Sequence, residues 1–132
     1  MSNKQLGNKF ENYVAQYLFD SGFWVLRIPD TFAGQPVDII TVKNTKAYLI
    51  ECKHCSNNAF DTARLEPNQH ATFHLWEEAG NGDGYIAINF GQDSFIISYA
   101  RLCEISSNKR RISKEVIQKN GMRLEEWIKR CT

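Results

Sequence analysis

The chain has 132 residues, the usual size of one domain, so a single core is expected and a second domain is not. Hydrophobic residues at 42% and charged residues at 23% exclude a disordered chain and fit a globular one. The formal net charge of +1 hides an uneven spread: from Arg101 onward nine Lys or Arg face four Glu, whereas residues 57–100 set Arg64 alone against six carboxylates.

Leu6, Phe10, Tyr13, Val14, Tyr17 and Leu18 recur at helical spacing and Ser21-Gly22 ends the pattern, which predicts an amphipathic helix over residues 4–20. Residues 22–28 are dense in β-branched and aromatic side chains and stop at Pro29, as a strand would. Residues 30–36 carry the Gly, Pro and Asp of a loop. Residues 37–43 and 46–54 read as two strands joined by a tight antiparallel turn at Asn44-Thr45. Residues 56–65 are polar and irregular, after which Pro67 opens a helix running to about Ala79. Gly80 to Gly84 terminates it. Residues 85–90 and 94–99 form a hairpin about Gly91 to Asp93, and from about Ser113 a helical segment breaks near Asn120-Gly121 and resumes through Trp127. Helix, three strands, helix, two strands and a basic helical tail from about residue 101 predict a layered α/β domain with a mixed sheet.

No apolar run approaches the roughly 18 residues that cross a bilayer, and the polar start has no signal-peptide h-region, so no membrane partner and a cytoplasmic location are expected. Cys52, Cys55, Cys103 and Cys131 read as reduced thiols. Cys52 and Cys55 have half of a zinc-site spacing with no matching second pair, and His70 and His74 stand at i, i+4 without the acid of a HExxH motif.

Two features resist a purely structural reading. Asp38 interrupts the apolar run Val37 to Ile40, and the apolar segment Tyr48 to Ile50 turns abruptly into Glu51-Cys52-Lys53. Alternation along a strand puts Glu51 and Lys53 on one face and Cys52 on the other. Taken alone, Glu51 and Lys53 fit an ordinary ion pair. With Asp38 on the neighbouring strand, two carboxylates converge beside one ammonium, a costly arrangement unless a cation and an anionic ligand complete it. Magnesium, which takes carboxylate, carbonyl and phosphate oxygens, suits that set. Glu11 falls at the margin of the first helix's apolar stripe, where it can face inward or serve as a solvent-facing acid near the helix start. Gln69, in the first turn after Pro67, can cap its helix or reach the site.

Pro36-Val37-Asp38 followed by Ile50-Glu51-Cys52-Lys53 resembles the PD-(D/E)XK nuclease superfamily. Leu6-Gly7 with Phe10-Glu11, the segment Gly22 to Arg27, and Gln69 resemble more narrowly the Holliday-junction resolvases of archaeal and of Gram-positive or phage type. The resemblance implies a restriction-endonuclease-like three-layer α/β/α fold, order αβββαββ, and Mg²⁺-dependent hydrolysis of DNA phosphodiesters, with Mn²⁺ as a substitute. It implies metal ligation by Asp38, Glu51, the Cys52 carbonyl and Glu11, with Lys53 acting on the attacking water and Gln69 positioning substrate. The expected partners are branched or four-way-junction DNA and a second copy of the chain, since two symmetric cuts need two active sites. Gly7, Thr31, Gln35, Arg110 and Arg111 are the candidate DNA contacts. A restriction-like or nicking nuclease would share this chemistry on another DNA structure, and a binding module without catalysis would keep the fold alone.

Overall fold

A computed structural model of the chain describes residues 1–29 and 35–131. Helix α1 (Asn3–Asp20) begins at Ser2, whose hydroxyl accepts from the Gln5 amide while the Gln5 side chain takes the Ser2 N–H, a reciprocal cap. Its buried stripe is Phe10, Val14, Ala15 and Leu18. Strand β1 (Trp24–Arg27) is shorter than the sequence suggests because the amides of Gly22 and Phe23 are spent closing α1 onto Phe19 and Leu18. Strands β2 (Ile39–Lys43) and β3 (Lys46–His54) are joined by the expected two-residue turn, with Asn44 and Thr45 both at positive φ, 52° and 67°.

The stretch expected to be irregular contains strand β4 (Ala59–Asp61) and a single 3₁₀ turn, Thr62–Arg64. Helix α2 (Pro67–Glu78) follows, then β5 (Tyr85–Asn89) and β6 (Ser94–Ser98). Ser98, whose side chain accepts from the Arg101 amide, then starts helix α3 (Tyr99–Ser106). The basic tail is helical, but two strands thread through it. These are β7 (Arg111–Ser113), before helix α4 (Lys114–Asn120), and β8 (Met122–Arg123), before helix α5 (Leu124–Arg130).

The central sheet runs β1-β2-β3-β5-β6-β8, antiparallel except for the parallel pair β3 and β5. That mixture is the expected one, with β8 added at an edge. Strands β4 and β7 form a separate two-stranded sheet. One face of the central sheet packs Ile39, Ile50, Ala87 and Ile96 against α1 and α5. The other packs Leu49, Ile86, Ile88 and Ile97 against Phe73 of α2, Leu102 of α3 and Ile117 of α4, giving three layers. Phe73 of α2 is core and Trp76 packs against that core, while Ala79 is the exposed C-cap of the helix. Among the described residues, no helix is long and apolar enough to cross a membrane.

Candidate active site

Asp38 stands one residue before β2 rather than inside it, although its carbonyl still accepts from the Ile28 amide at 2.9 Å. The ladder between β2 and β3 stops at Ile39 and Ile50 because the next inward amide, that of Cys52, donates to the Asp38 carboxylate at 2.7 Å. The end of the hairpin thus opens around a buried acid. Asp38 is 5% exposed and Glu51 3%.

Glu51 and Lys53 share the α2 face of β3, as alternation requires. The Lys53 ammonium lies 3.2 Å from Glu51 Oε2 and donates to the Arg64 carbonyl at 3.0 Å. Gln69 answers both of the readings the sequence allowed. Its Oε1 accepts from the Glu66 amide at 3.0 Å as part of the α2 cap, and its Nε2 donates to Glu51 Oε2 at 2.9 Å. Both nitrogen donors therefore converge on one oxygen of Glu51. The other, Oε1, is buried with no hydrogen-bond partner among the described residues.

Burial and mutual repulsion govern the electrostatics. Desolvation raises Asp38 to about 6, partly offset by the Cys52 amide and assisted by the charge of Glu11. Desolvation, then repulsion by Asp38, raises Glu51 to about 8, with Lys53 opposing. Two neighbouring acids that both resist ionisation, one with an orphaned oxygen, make a site that a divalent cation would relieve, and carboxylate oxygens are the donors such a hard ion prefers. Among the described residues no three His, Cys, Asp or Glu side chains form a complete metal cage, so protein carboxylates alone do not fill a coordination sphere.

Glu11 lies close enough to influence Asp38, but its Oε1 is held by Arg27 at 3.2 Å across the sheet edge. The hold of Arg27 on Glu11 and that of the Arg64 carbonyl on Lys53 are the contacts that the sequence did not point to, although the segment ending at Arg27 belongs to the resemblance. Gly7, one turn before Glu11, has open space where a side chain would project, so it leaves room rather than being forced by a close neighbour. Gln35 pins the segment that leads to Asp38: its amide donates to the Ile28 carbonyl and its own carbonyl accepts from Asn68 at 3.1 Å. Thr31 lies outside the described residues. Arg110 is exposed and paired with Asp61 at 3.0 Å, while Arg111 is exposed on β7. All four cysteines are free, and His70 and His74 both turn toward the Tyr99 hydroxyl.

A mixed sheet layered by helices, with two acids and a lysine meeting where a central hairpin opens, is the arrangement of the PD-(D/E)XK nucleases. The family model described as archaeal Holliday junction resolvase (hjc) matches residues 2–132. The chain is also 26% identical over 131 residues to the crossover junction endodeoxyribonuclease Hjc of Sulfurisphaera tokodaii, spanning 97% of this chain and 89% of that protein. The fold superposes on the Hjc structure of Archaeoglobus fulgidus, described as a Holliday junction resolvase from an archaeal hyperthermophile. The TM-score is 0.72 and the identity 16%, covering 92% of this chain and 99% of that one. The chain therefore belongs to the archaeal Holliday junction resolvase family and is homologous to a nuclease.

Proposed function

We propose that this chain, as one domain, is a Mg²⁺-dependent endonuclease that resolves four-way DNA junctions as a homodimer, with Asp38, Glu51 and Lys53 at its centre. The observation that carries this reading is the orphaned, buried Oε1 of Glu51 beside the Asp38 carboxylate. Nucleases of the family are metal-dependent, and the donor set here suits a hard divalent ion, with Mn²⁺ able to replace Mg²⁺.

Asp38 and Glu51 would hold the ion, and the Cys52 carbonyl would join them. In an antiparallel ladder a residue's N–H and C=O face the same neighbour, so the amide that reaches Asp38 implies a carbonyl turned the same way. When bound, the ion neutralises charge developing on the scissile phosphate and makes a coordinated water more acidic. Lys53 has three donors, of which Glu51 and the Arg64 carbonyl use two. The third remains for a phosphate oxygen or for the attacking water, which Lys53 would orient. Gln69 fixes the rotamer of Glu51 so that Oε1, not Oε2, is the oxygen left free. Glu11 supplies a further negative charge beside Asp38, available to the ion or its water once Arg27 turns to DNA. Gly7, Thr31, Gln35, Arg110 and Arg111 remain proposed DNA contacts.

The test is a substrate panel of four-way junction, flap, duplex and single strand, incubated with Mg²⁺. Preferential paired cutting of the junction is expected. Equal cutting of all four would replace the resolvase reading with a general or nicking nuclease, and no cutting with either Mg²⁺ or Mn²⁺ would leave a binding module.

A further inference from the structure

The centre just described handles one phosphate, whereas a DNA arm offers a continuous chain of them. Directly beside Lys53 a groove of about 520 Å³ opens between the start of α1, the end of β3 and the small β4 and β7 sheet. Its polar lining includes Asn3, Ser56, Asn57, Asp61, Arg64 and Arg111. Arg64 joins this groove to the centre, because its carbonyl receives the Lys53 ammonium at 3.0 Å.

The charge of the groove is not cancelled from within. Arg64 spends Nη1 on the His54 carbonyl at 2.7 Å, with Cys55 Sγ at 3.6 Å, and its other N–H donors have no partner among the described residues. The Arg111 side chain has neither hydrogen bond nor ion pair among the described residues. The one acid, Asp61, already accepts from Arg110 at 3.0 Å and from the Ala63 amide at 2.9 Å, and Arg110 holds it below the ordinary carboxylate range. The capped start of the 18-residue helix α1, a positive dipole end, borders the same space at Asn3, which Ser56 fixes at 2.8 Å. The pairing of Asp61 with Arg111 in the β4 and β7 ladder sets the second arginine in that wall, which gives this separate sheet a purpose. By contrast, a cavity of similar size at the far end of the central sheet, bounded by Lys46, Tyr85 and Trp127, contains no arginine.

We propose that this groove carries the DNA strand adjoining the scissile phosphate, with Arg64 and Arg111 each holding a flanking backbone phosphate. The proposal rests on the nuclease reading and extends it to the path of the strand.

Binding of a fluorescent four-way junction without divalent metal, followed across salt concentrations, tests it alongside Mg²⁺-dependent cleavage by the wild type. Arg111→Ala and Arg64→Ala should each weaken binding roughly fivefold near 0.1 M salt and lower the slope of log K against log salt by about 0.9. Arg64→Lys should retain most of the slope. Lys46→Ala, which removes a charge at the opposite end of β3, should change neither quantity. Arginine variants that stay folded by circular dichroism yet keep wild-type affinity and slope would overturn the groove, as would an equal loss in Lys46→Ala. If Arg64→Ala unfolds, Arg111→Ala decides, since its exposed side chain makes no hydrogen bond or ion pair among the described residues. A wild type that binds with this arginine dependence but never cleaves would sink the nuclease reading and leave the groove standing.

Discussion

The two halves of β3 meet burial in opposite ways. Leu49 and Ile50 are 1% and 0% exposed and are satisfied by apolar neighbours on the two faces of the sheet. Glu51, the next residue, is buried almost as deeply but leaves one carboxylate oxygen without a partner among the described residues, and it repels Asp38 besides. Apolar burial in the first half stabilises the chain, whereas ionised burial in the second opposes folding. The strand is a support at one end and a reactive group at the other. The fold tolerates the strained end because the supporting end and its two cores hold it.

Substitutions on either half of β3 should separate the two roles. Asp38→Asn should cut cleavage of a bound junction by about 10³-fold or more, on the order of 4 kcal/mol, with junction affinity retained. Single-turnover rates at saturating enzyme check this, and a near-normal rate would show that the buried acids are not the centre. Ile50→Ala, one residue from Glu51, should do the reverse. A cost of about 2–5 kcal/mol in unfolding free energy is expected from a shifted denaturant midpoint, through the cavity it leaves. Gln69→Ala should slow cleavage by about tenfold to a hundredfold, because Glu51 loses the donor that fixes its rotamer, while the fold is mildly affected. Smallest, Glu51→Gln should leave metal-free stability unchanged or raise it by about 1 kcal/mol at pH 8, since it removes a poorly partnered buried charge.

The same contrast has a pH signature. Asp38 and Glu51 bind protons more tightly in the folded chain than in the unfolded one, mainly because burial disfavours their charged forms. Their contribution to stability is therefore fully present below about pH 4 and is lost as pH rises through about 6 for Asp38 and about 8 for Glu51. Metal-free thermal melts should follow that decline, and added Mg²⁺ should offset it increasingly toward pH 8, because the ion needs both acids ionised. Melts that are flat over this range in the wild type, or that decline toward pH 8 as steeply in Glu51→Gln as in the wild type, would contradict the burial of these acids.

Much of this was legible in the sequence where a period or a turn signal encodes it. The alternation that set Glu51 and Lys53 on one face, the two-residue turn at Asn44-Thr45 and the bounds of β3 all follow from local pattern. So does α1, whose apolar stripe is the buried one. The hold of Arg27 on Glu11 and of the Arg64 carbonyl on Lys53 was not legible, because these contacts join segments whose approach no local period describes. The β4 and β7 sheet was missed for a similar reason: each strand has three residues, too few to show alternation, and they pair across some fifty positions of chain. Helix α3 did leave a signal in Ser98, its N-cap, but the strand pattern running into Tyr99 masked it. Asp38 was rightly suspected as a buried acid; that it stops the ladder by taking the Cys52 amide is a tertiary fact.

The most direct measurement is single-turnover cleavage of one four-way junction, at matched occupancy, by the wild type and by Glu51→Gln across a Mg²⁺ titration. The wild-type rate should saturate with Mg²⁺, while the variant should bind the junction but stay at least about 10³-fold slower at every concentration. A variant that reaches the wild-type rate once Mg²⁺ is high enough would show that Glu51 tunes affinity for the ion without being needed for the reaction. Cleavage by the wild type in the absence of any divalent ion would contradict the account outright.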